Sequence, residues 1–79
     1  MGFKEIVAAG REIIDFLFRT LRVARISANV PTYNKQAEKL AMMLGFKFEG
    51  TIRNGILFHE VHYNINLYGL LREEWKRGK

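Results

Sequence analysis

The chain has no cysteine among its 79 residues, which excludes a disulfide framework and any thiolate-bound metal centre. Nothing points to an oxidising compartment, so a cytoplasmic location is the expectation. Proline occurs once, at Pro31, and there is no low-complexity tract. Apolar residues make up 48% and aromatic residues 13%, enough for a packed core, so the chain is expected to fold. Long hydrophobic runs are missing too. The apolar stretch from Ile6 to Gly10 is cut by Arg11 and Glu12, too short for a signal-peptide core or a membrane span. Gly2 lacks the Ser or Thr at position 6 that a myristoylation signal requires, since Ile6 stands there. No membrane anchor is expected.

Charge of one sign is never gathered into a run. The formal net charge of +5 favours polyanionic partners, whether nucleic acid, phosphorylated cofactors or acidic protein surfaces. Yet Lys4, Arg11, Arg19, Arg22, Arg25, Lys35, Lys39, Lys47, Arg53 and the terminal Lys76, Arg77 and Lys79 are scattered. No RNP or zinc-finger pattern accompanies them, so nucleic acid is not expected as the main ligand. A chain this short makes one small domain and must use nearly every apolar residue it has.

What is present is periodic. Phe3, Ile6, Val7, Gly10, Ile13, Ile14, Leu17 and Leu21 recur at steps of three and four, predicting a long amphipathic helix flanked by Phe16 and Phe18. Gly10 lies on that stripe, where a glycine costs about 1 kcal/mol against alanine; a close backbone approach to a sheet would compensate. Residues 23–30 alternate, with Ala24, Ile26, Ala28 and Val30 on one side and Arg25, Ser27 and Asn29 on the other, predicting a strand that Pro31 ends. Asn34 offers an N-cap for a helix whose inner face is Ala37, Leu40, Ala41 and Leu44, and Gly45 supplies a left-handed stop.

Residues 46–52 read as a second strand, Arg53-Asn54-Gly55 as turn chemistry, and residues 58–67 as a third strand. Residues 70–79, polar and charged after the leucines that open the segment and apart from Trp75, predict a short terminal turn or helix. The fold class is therefore α/β, in the order helix, strand, helix, strand, strand, around a small mixed sheet.

The combination "NKQAEKLAMMLGFKFEGTIRN", then "LYGLLREEW", resembles the C-terminal half of GNAT-superfamily N-acetyltransferases, especially the branch acting on ribosomal-protein N-termini. The resemblance rests on the Asn34 helix start, Ala37, Leu40, Leu44-Gly45-Phe46, Glu49-Gly50, Arg53 and the Glu73-Glu74-Trp75 end, and runs from the first helix to Trp75. It implies acetyl-CoA as the cofactor, held in a V between two parallel strands. Its pyrophosphate would lie at a Gly-rich loop and the helix N-terminus behind it, where free N–H groups and the helix dipole favour an anion. By this resemblance Gly2 and Phe3 are the remnant of that loop, together with Met1. Asn29 lies on the second strand of the V, Asn34 at the family's cofactor-side or substrate-side asparagine, and Lys35 beside it.

The first strand of the V has no counterpart, so a chain truncated within the cofactor loop is implied. The edge of residues 25–30 would then lie bare, and a homo-oligomer, most simply a dimer joined by sheet edge or sheet face, is expected.

Acetyl transfer to a primary amine also needs a base and an acid. The family's tyrosine acid corresponds to Ala41 and an aspartate to Asn64, so no catalytic residue is assigned. Tyr33, Tyr63, Tyr68, Glu49, Glu60, His59 and His62 remain as groups able to serve. An inert remnant acting as an oligomeric binding or assembly module is the alternative function.

Plainer readings stand beside these. Asn34 serves as a helix cap whatever else it does. His59-Glu60-Val61-His62 is not His-Glu-x-x-His, and in a strand its histidines face opposite sides, so no metal is expected. Met42 and Met43 read as packing or interface filler, Trp75 as a clamp on the terminus, and Lys35 and Lys39 as a solvated face near a potential phosphate.

Overall fold

The computed structural model describes residues 2–77; Met1 of the expected loop remnant and Lys79 of the basic tail lie outside the described residues. Helix α1 spans Phe3–Arg19, strand β1 Arg25–Pro31, helix α2 Lys35–Met43, strand β2 Lys47–Phe58, strand β3 Val61–Leu71 and helix α3 Arg72–Arg77. The element order is the expected one, with a short terminal helix.

The strands form one sheet in the order β1-β3-β2, and both pairings are antiparallel. The expected mixed sheet is thus wholly antiparallel among the described strands. The reason is topological: any parallel neighbour of β1 would lie on its outer edge, which no described strand occupies.

β1 alternates as its sequence does, with Arg25, Ser27 and Asn29 exposed and Ile26, Ala28 and Val30 turned inward. It starts two residues later than expected because Arg22 turns the chain in a left-handed conformation, φ 57°. α2 begins where Asn34 Oδ1 accepts a hydrogen bond from Ala37 N at 3.0 Å. It ends in a Schellman motif, with Gly45 N donating to Met42 O at 3.1 Å and Phe46 N to Ala41 O at 3.0 Å, made possible by Gly45 at φ 93°.

α1 and α2 cover one face of the sheet. Val7, Ile14 and Phe18 of α1 pack with Leu44, Leu70 and Trp75, while Val30, Ala41 and Tyr68 form an adjoining buried group. The stripe on α1 is rotated from the expected one. Phe18 is buried, whereas Ile13 is exposed and Leu21 lies beyond the helix end, because the sheet meets the side defined by Val7, Ile14 and Phe18. Gly10 does permit a close approach, but to the Leu44 side chain on α2, whose nearest carbon would lie 3.0 Å from an added Cβ, and not to the sheet.

The second half of the sheet departs most from expectation. Arg53-Asn54-Gly55 is no hairpin turn: β2 runs straight through it to Phe58, and the register shifts there, with Ile52 opposite Ile65 and Ile56 opposite Tyr63. The added residues form a bulge in which Asn54 takes φ 52° and its N–H donates to Asn64 Oδ1 at 2.9 Å. The hairpin closes instead at His59 and Glu60, left-handed at φ 51° and 63°, between the paired Phe58 and Val61. β3 accordingly runs to Leu71, and Leu70, expected in the polar terminus, is the most deeply buried side chain.

Candidate functional site

Both helices present their N-termini at the same end of the molecule. The Lys39 ammonium sits 5.0 Å from the centre of the Phe3 ring, and further along Arg11 donates to Met43 O at 3.4 Å, so α1 and α2 run side by side in the same direction. The first N–H groups of a helix have no intrahelical acceptor, and the aligned peptide dipoles make that end partly positive. At α1 a carboxylate already answers this: Gly2 N donates to Glu5 Oε2 at 2.6 Å. At α2 the cap is Asn34, whose own N–H donates to Pro31 O at 2.9 Å and so seats the helix start on the C-terminal end of β1.

Four of the five expected cofactor residues, Gly2, Phe3, Asn34 and Lys35, are gathered at this end, with Lys4 and Lys39 adding positive charge. Lys35 Nζ lies 3.8 Å from Glu38 Oε1. Asn29 stands apart. It occupies the exposed, helix-free face of the sheet, in register with Leu67.

Beneath α2 lies a polar cluster that sequence reasoning missed. Asn66 Nδ2 donates to Glu38 Oε2 at 2.6 Å, and Thr51 Oγ1 donates to Asn66 Oδ1 at 2.9 Å. The buried Tyr68 hydroxyl interacts with both Asn66 and Glu38; its desolvation, then the Glu38 charge, push its titration up, so it stays protonated and able to donate. This places a carboxylate and a phenol on one side of the sheet, a pairing able to exchange a proton with a bound amine. The available signal was parity. Asn66 and Tyr68 alternate on β3, and Glu38 follows Ala37 at the edge of the apolar face of α2.

The other titratable candidates are dispersed. Tyr33 stacks on Phe58 with ring centres 4.4 Å apart and meets Tyr63 edge-on at 5.0 Å, so both tyrosines serve an aromatic cluster near the hairpin. His59 and Glu60 form the turn itself, and His62 is exposed on β3. His59 is therefore not on a strand, and among the described residues no group of three or more potential ligands could hold a metal. Among the described residues no helix is long and apolar enough to cross a membrane.

Glu49 lies on the opposite face. Its carboxylate is held by Arg25 from β1, with Arg25 Nη1 donating to Oε2 at 2.9 Å and Nη2 to Oε1, and that hydrogen bond pulls its titration below the usual carboxylate range. The pair bridges the two outer strands across Gly69 of β3, where a Cβ would collide with both side chains.

Trp75 clamps the terminus. Its ring is tilted against Phe18 with centres 6.3 Å apart, and its Nε1 donates to Asp15 Oδ1 at 2.8 Å. Glu74, ion-paired to Lys47 at 2.7 Å, accepts from Leu71 N and fixes the start of α3.

No family model matches the chain. A putative ribosomal N-acetyltransferase, YdaF of Bacillus subtilis, is 30% identical over 74 residues, covering 94% of this chain and 40% of the relative. A crystal structure of a probable acetyltransferase superposes with a TM-score of 0.86 at 30% identity, covering 94% of this chain and 42% of that one. A spermidine N-acetyltransferase, a SpeG chimera from Vibrio cholerae and hSSAT, shares the fold with a TM-score of 0.88 at 18% identity, covering 96% and 46%. The chain thus spans less than half the length of each of these proteins.

Proposed function

Taking as premise that the chain is a GNAT-like N-acetyltransferase segment, we propose that it binds acetyl-CoA at the shared N-terminal end of α1 and α2 and serves acetyl transfer to a primary amine. The observation that carries this reading is the convergence at that end. Two helix N-termini, Asn34, Lys35 and Lys39 meet beside the C-terminal end of β1, and an internal anion, the Glu5 carboxylate, already occupies one of the donor positions.

The residues fit a phosphate-bearing thioester. Gly2 and Phe3 would offer backbone N–H groups to the pyrophosphate and Lys35 and Lys39 would neutralise it, with the Glu5 carboxylate now bound to Gly2 N the group that a phosphate would have to displace. Acetyl-CoA supplies the activated acyl group. Tyr68, held protonated beside Glu38, is the proton donor within this chain best placed to answer a leaving thiolate, and Glu38 is the nearest proton acceptor.

The 79 residues act as one partial domain. The other wall of the cofactor cleft comes from elsewhere, whether a further segment of a longer protein, a partner or a second copy, and a homodimer through the β1 edge or the open sheet face is the simplest arrangement. Acetyl-CoA titration followed by calorimetry tests the binding reading, with saturable heat and a raised melting temperature expected. Absence of both would overturn it.

A second reading, an inert oligomeric assembly module, is favoured by one observation. Ala41, the buried residue on the inner face of α2, stands where the resemblance calls for a tyrosine acid. Binding of acetyl-CoA without turnover in the assembled protein would select it.

A further inference from the structure

The cofactor end uses the N-termini of α1 and α2; a different feature lies at the far end of α1. The helix has 17 residues and is about 25 Å long, so its last turn lies about 20 Å from its first. There the chain opens a groove of about 440 Å³ lined by Phe18, Arg19, Arg22, Arg72, Trp75 and Lys76. Its floor is aromatic and its rim cationic. Phe18 and Trp75 are nearly fully buried, with 2% and 6% of their surfaces exposed, so they shape the groove and present no free stacking face.

The charge balance is one-sided. Among the described residues Arg22, Arg72 and Lys76 enter no ion pair or side-chain hydrogen bond. The nearby carboxylate, Asp15, is shared between Arg19 Nε at 3.4 Å and Trp75 Nε1 at 2.8 Å. On α3 the helical spacing sends Arg72, Trp75 and Lys76 to the groove side and Glu74 away from it, where it pairs with Lys47.

The chain also spends backbone strain here. Arg22 adopts φ 57°, a conformation that costs a residue with a side chain, and it does so at the point where α1 exits toward the groove. Four cations line the groove, and of these Arg19 is paired with Asp15, so the rim carries a net positive charge that favours a multivalent anion.

We propose that this groove binds a small polyphosphate-bearing anion, with Arg22 and Arg72 as the principal ligands and Arg19 and Lys76 completing the rim. Guanidinium groups chelate phosphate oxygens through paired N–H donors, and an apolar floor lowers the local dielectric and strengthens each contact. The buried rings and the volume favour a compact di- or triphosphate group over a nucleic-acid strand, which needs exposed aromatic faces for its bases. The site is separate from the acetyl-CoA end and does not depend on that assignment.

Trp75 is the only tryptophan in the chain and lines the groove, so it reports directly on occupancy. Sodium triphosphate titrated into the full chain is expected to change Trp75 emission saturably, with sodium sulfate at matched ionic strength giving at least a tenfold weaker response. The double variant Arg22→Gln/Arg72→Gln, checked for native circular dichroism, is expected to weaken the triphosphate response at least tenfold. The variant Lys4→Gln, at the other end, is expected to leave it unchanged. Equal responses to triphosphate and sulfate, unaltered binding by the double variant, or binding of an oligouridylate with no response to triphosphate would each overturn the proposal. Should the double variant fail to fold, Lys76→Gln alone is expected to weaken binding about threefold, and no change in it would count against the site.

Discussion

Leu70 and Leu71 are neighbours on the same strand, yet the first is 2% exposed and the second 43%. The difference is the parity of the pleat: Leu70 faces α1 and α2, and Leu71 faces the side that no described helix covers. On the helix-covered face Val30, Tyr68 and Leu70 are buried, with Ile26 and Ala28 partly buried beside them, while Phe48 at the β2 side stays exposed. On the other face Arg25, Ser27, Asn29 and Glu49 stand among Leu71, Ile52, Ile65 and Leu67. The water-facing side of an antiparallel sheet is commonly polar, whereas this side mixes polar and apolar residues, with Leu71 and Ile52 exposed. The buried core therefore lies on one face, and the other carries apolar side chains that no described element covers.

The sharpest way to break this contrast is to cut the two leucines in turn. Leu70→Ala removes a fully enclosed side chain and is expected to cost about 3 kcal/mol or more, enough to unfold much of a small domain in a urea titration. Leu71→Ala is expected to cost under about 1 kcal/mol in the fold itself while weakening self-association, read by sedimentation. Equal losses of fold stability from the two would show that the faces do not differ as described.

A second test concerns the helix end. If acetyl-CoA phosphate takes the place of the Glu5 carboxylate, Glu5→Gln removes an anionic competitor near a helix N-terminus, an effect of about 0.3–1 kcal/mol. The expected outcome is a roughly two- to fivefold tighter acetyl-CoA isotherm by calorimetry, together with a slightly lower melting temperature from the weakened cap. Unchanged or weaker binding would move the cofactor away from α1.

The smallest effect lies on the open face. Glu49 titrates below its unfolded value because Arg25 hydrogen-bonds it, so the pair contributes stability above the ordinary carboxylate range and loses it as pH falls through the depressed value. Glu49→Gln is expected to flatten the acid limb of a melting-temperature profile slightly and leave the neutral region almost unchanged, since exposed pairs contribute little. An unaltered acid limb would mean that the bridge across Gly69 does not form in solution.

Local signals carried much of this architecture. The Asn34 cap, the Gly45 stop and the alternation of residues 25–30 each follow from chemistry within a few residues, and each stands where the sequence put it. The hairpin did not follow. Asn54-Gly55 has strong turn chemistry, but long-range pairing of Ile56, Leu57 and Phe58 with β3 converts it to a bulge, and the real turn uses His59 and Glu60, which advertise nothing.

The phase of α1 was also hidden, because Ile13 and Phe18 are equally apolar and only the sheet decides which is buried. At the site, the residues near the helix starts were readable from cap chemistry and the family pattern. The Glu38, Asn66 and Tyr68 cluster was not, since its members come from separate elements and meet only when β3 slides under α2.

Sedimentation velocity on the chain across the micromolar range most directly tests whether the sheet face and the β1 edge that no described element covers are covered by a second copy. The account predicts a dimer that Leu71→Glu converts to a folded monomer. A well-folded monomer for the unaltered chain at every concentration would contradict it.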